Sequence, residues 1–111
     1  MPAKKFGKII MLSDDIIKFI SDFSGVKCQK ITATTTLLDD LRIDGEDAEN
    51  LMLEYSKKFS VDLSEFVFNR YFNNEFPNSI FDIFKKSNLE PIFVDDLITS
   101  AEFGRWVKNK S

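Results

Sequence analysis

Three stretches of the chain space their apolar residues as helices do. In the first, Ile16, Ile20 and Phe23 fall on one face, with Ile17 and Phe19 flanking it. Ser13 is placed to cap the N-terminus, and Asp14 and Asp15 suit the positive end of the dipole. Gly25 stands where a left-handed residue ends a helix. The pattern predicts a helix over 14–24. The second stretch is the clearest: Ala48, Leu51, Met52, Tyr55 and Phe59 form an unbroken stripe. Asp44 reads as its N-cap, Gly45 follows, and Asp47 takes the capping-box position. Glu46, Asp47, Glu49 and Glu54 lie on or near the outer side, and Lys57 and Lys58 complement the C-terminal dipole. Leu53 does not fit the stripe and points away from it. In the third, Val94, Leu97, Ile98 and Ala101 make a face, Asp95 and Asp96 open it, and Gly104 stops it. Trp106 then packs back onto the body.

Between these helices the pattern weakens. Residues 26–43 read as a long loop with a short turn at Leu37–Leu41, anchored by Val26, Ile31, Leu37, Leu38 and Leu41. Its threonine run has poor helix propensity and good local hydrogen-bonding capacity. Residues 63–84 hold six of the twelve phenylalanines plus Tyr71. One short helix before Asn73 and another after Pro77 fit there, and the aromatics read as core. The runs 66–68 and 8–12 have strand character, but no ladder of strands emerges. An all-α bundle is the expected architecture.

Composition narrows the function. With 111 residues, 43% hydrophobic and 30% charged, the chain suits one globular domain spanning 1–111. The N-terminus turns from basic to apolar as a secretory leader does. Its apolar part is short, Lys8 interrupts it and no small-residue cleavage site follows, so the expectation is a cytoplasmic protein without membrane insertion. Cys28 is the single cysteine and reads as inert. There is no histidine, which removes the commonest general base and most zinc sites. A small enzyme would have to rest on carboxylates such as Asp39 and Asp40 or Asp95 and Asp96. Adjacent acids of this kind are expected at the surface, with no pocket to perturb them, so no enzyme is expected. The net charge is -3, and residues 14–65 carry twelve acids against six bases. That balance opposes nucleic-acid binding. Asp40, Asp44 and Gly45 fit positions of a calcium loop, but Arg42 and Leu51 stand where oxygen ligands are required, so no metal site is expected.

The run from Gly25-Val26 through "TTTLLDDL" to "IDGEDAENLMLEYSKKF" and Val61-Asp62-Leu63 resembles the acyl carrier protein family over residues 14–65 without a gap. Leu38, Asp40, Leu41, Asp44, Asp47, Leu51, Phe59, Val61 and Leu63 take the types that family uses. The chain is also similar to a bacterial branch of uncharacterised acyl-carrier-like domains with Asp-Gly-(Asp/Glu)-Asp-Ala here and a terminal Gly-(Lys/Arg)-Trp. The resemblance implies an acyl-carrier-like bundle of three to five helices. Residues 66–92 would be an enlarged, aromatic-rich connection and 93–106 the last helix. In carriers the serine after the motif aspartate bears phosphopantetheine through a phosphodiester. Gly45 occupies that position here, so the bond cannot form and no cofactor is expected at it. Glu46 replaces an exposed leucine that carriers present to partner enzymes. Ser56, Lys57 and Lys58 replace the usual late acids, while Leu53 keeps a position where carriers expose an apolar residue. The short motif has a plainer account as an ordinary helix start, with a cap worth about 1 kcal/mol. The expected function is non-catalytic docking to a protein partner, a basic and partly hydrophobic one, through Asp44, Glu46, Asp47, Glu49, Asn50, Leu53 and Glu54. The alternative is a genuine carrier modified at another hydroxyl such as Ser13, Ser56 or Ser64.

Overall fold

The computed structural model describes residues 2–73 and 89–108, with side chains from residue 12 onward. Its order is α1 (Pro2–Ser24), a 3-10 turn (Cys28–Lys30), α2 (Gly45–Phe59), the single-turn α3 (Phe68–Tyr71) and α4 (Val94–Phe103). The protein is all-α, as the apolar periodicity predicts, and no strand occurs among the described residues. Two isolated bridges, Thr36 with Phe93 and Asp62 with Arg105, are its only pairings of extended backbone there. The helix expected after Pro77 falls outside the described residues.

α1 starts well before the expected Asp14. Proline is welcome in a first helical turn, no second proline stands between Pro2 and Gly25, and the helix runs through Gly7. Ser13 is therefore inside the helix and not its cap, and the strand reading of 8–12 gives way to helix. The run 66–68 is likewise irregular backbone and helix start. Both were too short to overcome helical neighbours. Gly25 and Gly104 close α1 and α4 in the left-handed conformation, at φ 77° and 76°.

α1 packs on α4, and the core is the set of stripes read above. Ile16, Phe19 and Ile20 from α1, Ala48, Leu51, Met52 and Tyr55 from α2, and Val94, Leu97 and Ile98 from α4 are all buried. Each large aliphatic residue removed from water in this way stabilises the bundle by about 1.5–3 kcal/mol before entropy is counted. Ile31, Leu37 and Ile43 pin the long loop to the same core. Backbone bonds stitch this loop to the approach to α4: Leu37 N–H to Ile92 O at 3.0 Å and Val94 N–H to Thr35 O at 2.9 Å. The threonines satisfy each other locally, Thr35 Oγ1 accepting Thr32 N–H at 2.9 Å. The aromatic segment contributes core: Tyr71 and Phe72 are buried, and Trp106, beyond α4, is buried with them. Phe66 stacks on Tyr71 at 5.3 Å between ring centroids and meets Trp106 edge-on at 4.9 Å.

Candidate docking surface

α2 is anchored by its inward stripe, so its other residues face outward by geometry. Glu46, Asp47, Glu49, Asn50, Leu53 and Glu54 are all exposed. Leu53 is 58% exposed, in the middle of a helix that otherwise buries its leucine. The seven residues expected to form a docking surface thus divide. Six share the open side of α2, while Asp44 is half-buried and turned elsewhere.

Asp44 does not cap α2 with its side chain. Its Oδ1 accepts the backbone N–H of Asn73 at 2.8 Å, and its Oδ2 accepts the side-chain amide of Asn73 at 2.8 Å. Local pattern favours the cap, but a tertiary partner offering two donors wins the carboxylate. Nothing in the spacing of the chain links Asn73 to Asp44, so it could not be found from sequence. Both line a surface depression of about 580 Å³ with Leu38, Asp39, Arg42 and Leu89.

Gly45 opens α2 at φ 58°. That is the left-handed region, which an L side chain enters at a cost of about 1–2 kcal/mol. The residue is thus glycine for a reason of backbone geometry as well as lacking a hydroxyl. Arg42 shares this conformation at φ 60°, and so does Ser60, which ends α2, at φ 55°.

Asp40 is engaged in a reciprocal clamp rather than a calcium loop. Its Oδ2 accepts Thr36 N–H at 2.8 Å, and its own N–H donates to Thr36 Oγ1 at 3.1 Å. Among the described residues no group of acids and cysteine is arranged to hold a metal ion. No helix there is long and apolar enough to cross a membrane. Of the acid pairs, Asp39, Asp40 and Asp95 are exposed, but Asp96 is completely buried, contrary to expectation. It closes the N-terminus of α4 by accepting Phe93 N–H at 2.9 Å and pairs with Lys108 Nζ at 3.0 Å. Its burial is that of a cap and ion pair.

At the other end of α2, Lys57 and Lys58 are exposed. Lys58 Nζ lies 5.7 Å from the Phe19 ring centre and 5.9 Å from that of Phe59. Phe19, Asp22, Phe23, Glu54 and the two lysines line an open groove of about 570 Å³. The outer side of α2 therefore runs from acidic to basic along its length, with Leu53 between.

The acyl carrier protein of Rickettsia bellii (strain RML369-C) is 29% identical to this chain over 65 residues, which is 59% of this chain and 76% of that protein. No solved structure matches significantly. The likeness to a carrier is thus distant, as the glycine-led α2 and its mixed charges would suggest. A far longer match, over residues 7–109, is to the model of the family described as Protein of unknown function (DUF1493), and it is to this family that the chain belongs.

Proposed function

We propose that the chain is a non-catalytic, acyl-carrier-like domain that bears no prosthetic group and works by docking to a protein partner through the open side of α2. The observation that carries this reading is Leu53, 58% exposed and set among Glu46, Glu49 and Glu54. An apolar anchor within a charged rim is the usual make-up of a protein contact. The acids would steer basic groups on the partner's contact face toward Leu53, so association weakens with salt. The distant similarity to an acyl carrier protein supports the framework, and Gly45 opposes the carrier chemistry.

Two measurements test it. Intact mass after co-expression with a phosphopantetheinyl transferase is expected to be that of the bare chain. An added pantetheine group, on Ser13, Ser56, Ser64 or any other hydroxyl, would instead make it a genuine carrier. Capture of partners by the tagged wild-type chain is expected to be lost with Leu53→Asp. Capture that is unchanged both in that variant and after joint charge reversal at Glu46 and Glu49 would show that the surface lies elsewhere.

A further inference from the structure

We propose that the partner met by this side of α2 is a second copy of the same chain, its α2 running antiparallel about a two-fold axis through Leu53. This rests on the reading of α2 as a docking surface and names what docks there. Glu49 and Lys57 stand four residues before and after Leu53, so both lie on its face, one turn to either side. Both are exposed, and neither makes an ion pair among the described residues. An antiparallel two-fold pairing sets Leu53 against Leu53, Glu49 against Lys57 twice, and the neutral Asn50 against Ser56. A two-fold interface must be self-complementary, and the row Glu49, Leu53, Lys57 is. A parallel pairing would put acid on acid and lysine on lysine, so the charges also select the direction. A foreign basic patch would answer the acids alone. A surface with acid, apolar pivot and base at this spacing answers both ends, and the chain carries such a surface itself. With one leucine at its centre the contact is small, and the dimer is weak and concentration-dependent.

Sedimentation equilibrium of the full chain over a range of concentration and salt tests this. The wild type is expected to associate reversibly to a dimer, less so at high salt. Glu49→Lys and Lys57→Glu, each folded by circular dichroism, are expected to weaken association by about tenfold or more, because each turns two attractive pairs into two repulsive ones. The double variant Glu49→Lys/Lys57→Glu is expected to restore it. So is an equimolar mixture of the two single variants, which regain both opposite pairs as a heterodimer. A general loss of folding or solubility would not be rescued in this way. A wild type that stays monomeric at every concentration, or single variants that associate as well as it does, or a double variant that stays as weak as the singles, overturns the proposal. If the chain is monomeric yet captures another protein in a Leu53-dependent manner, the docking reading stands and the self-pairing does not. If Leu53→Asp alters neither capture nor self-association, both fall.

Discussion

Asp44 and Asn73, 29 residues apart in the chain, are joined by two hydrogen bonds of 2.8 Å, one to the backbone N–H of Asn73 and one to its side-chain amide. The start of α2 is thereby tied to the segment that follows α3. Bonds to an ionised carboxylate contribute about 1.5–3 kcal/mol each at most, and less where water competes, as it does at these half-buried groups. Asn73→Ala removes one bond and is expected to destabilise the fold by about 1 kcal/mol in urea unfolding. Asp44→Ala removes both and is expected to cost about 2 kcal/mol. Since the residues act on each other, the double variant should be no less stable than Asp44→Ala alone.

The left-handed φ of Gly45 makes a second prediction. Gly45→Ser is expected to lower stability by about 1 kcal/mol, read as a fall in the urea midpoint with unchanged slope. Gly45→Asn, which tolerates that conformation better, should cost less, and Gly45→Val more. Equal losses for all three would mean that the side chain, rather than the backbone, limits the position.

Much of the bundle could be read from periodicity, because helix stripes are local. The stripe of α2 is buried as spaced from Ala48 to Tyr55, with Phe59 half-buried at its end, and Leu53 is exposed where it breaks the stripe. Gly25 and Gly104 end their helices for a reason visible in one residue, the missing Cβ. What local pattern could not show were the partners of polar groups. Asp44 looked like a cap and binds Asn73 instead. Asp96 looked like one of two surface acids, yet it is buried because Lys108 and the Phe93 N–H meet it there. Ser13 has the right chemistry for a cap, but a helix can run through a serine when nothing before it forces a start. The six open residues of α2 were legible since an amphipathic helix defines both its faces at once.

Tyr55 gives the alkaline limb of stability. Its ring is fully buried and its hydroxyl donates to the Leu97 carbonyl at 2.6 Å. Burial pushes the hydroxyl far above the ordinary tyrosine value of 10.0; the polar Ser100 hydroxyl beside it pulls the other way, and the charge of Asp96 adds to the rise. The folded state thus holds the neutral form more firmly than the unfolded chain does. That stabilisation is complete below pH 10 and is lost as pH climbs above it, by up to about 1.4 kcal/mol per pH unit. Unfolding free energy is expected to fall across this range. Tyr55→Phe should be about 1 kcal/mol less stable at neutral pH and decline more shallowly above pH 10. A variant with the same alkaline slope as the wild type would locate the effect at another group.

Asp96 and Lys108 yield the last prediction, and in it the order of two losses matters more than their size. Asp96 is 0% exposed, whereas the Lys108 side chain keeps 22% of its surface in water. Removing the lysine leaves a carboxylate with its charge buried; removing the carboxylate's charge leaves an ammonium that can reach solvent. Lys108→Met is therefore expected to cost about 3 kcal/mol, near the low end for breaking a buried pair because Lys108 is partly solvated. Asp96→Asn should cost nearer 1 kcal/mol, since its amide oxygen can still accept the Phe93 N–H that closes the start of α4. The double variant, with no charge left to bury, should recover part of the Lys108→Met loss in urea unfolding. Ser100 supplies the control. Its hydroxyl binds both the N–H and the carbonyl of Val107, at 2.8 and 3.0 Å, so the segment leading to Lys108 stays attached in every variant. If Asp96→Asn proves the more damaging change, the hydrogen bonding of that carboxylate at the start of α4, and not its charge pairing with Lys108, carries its contribution to stability.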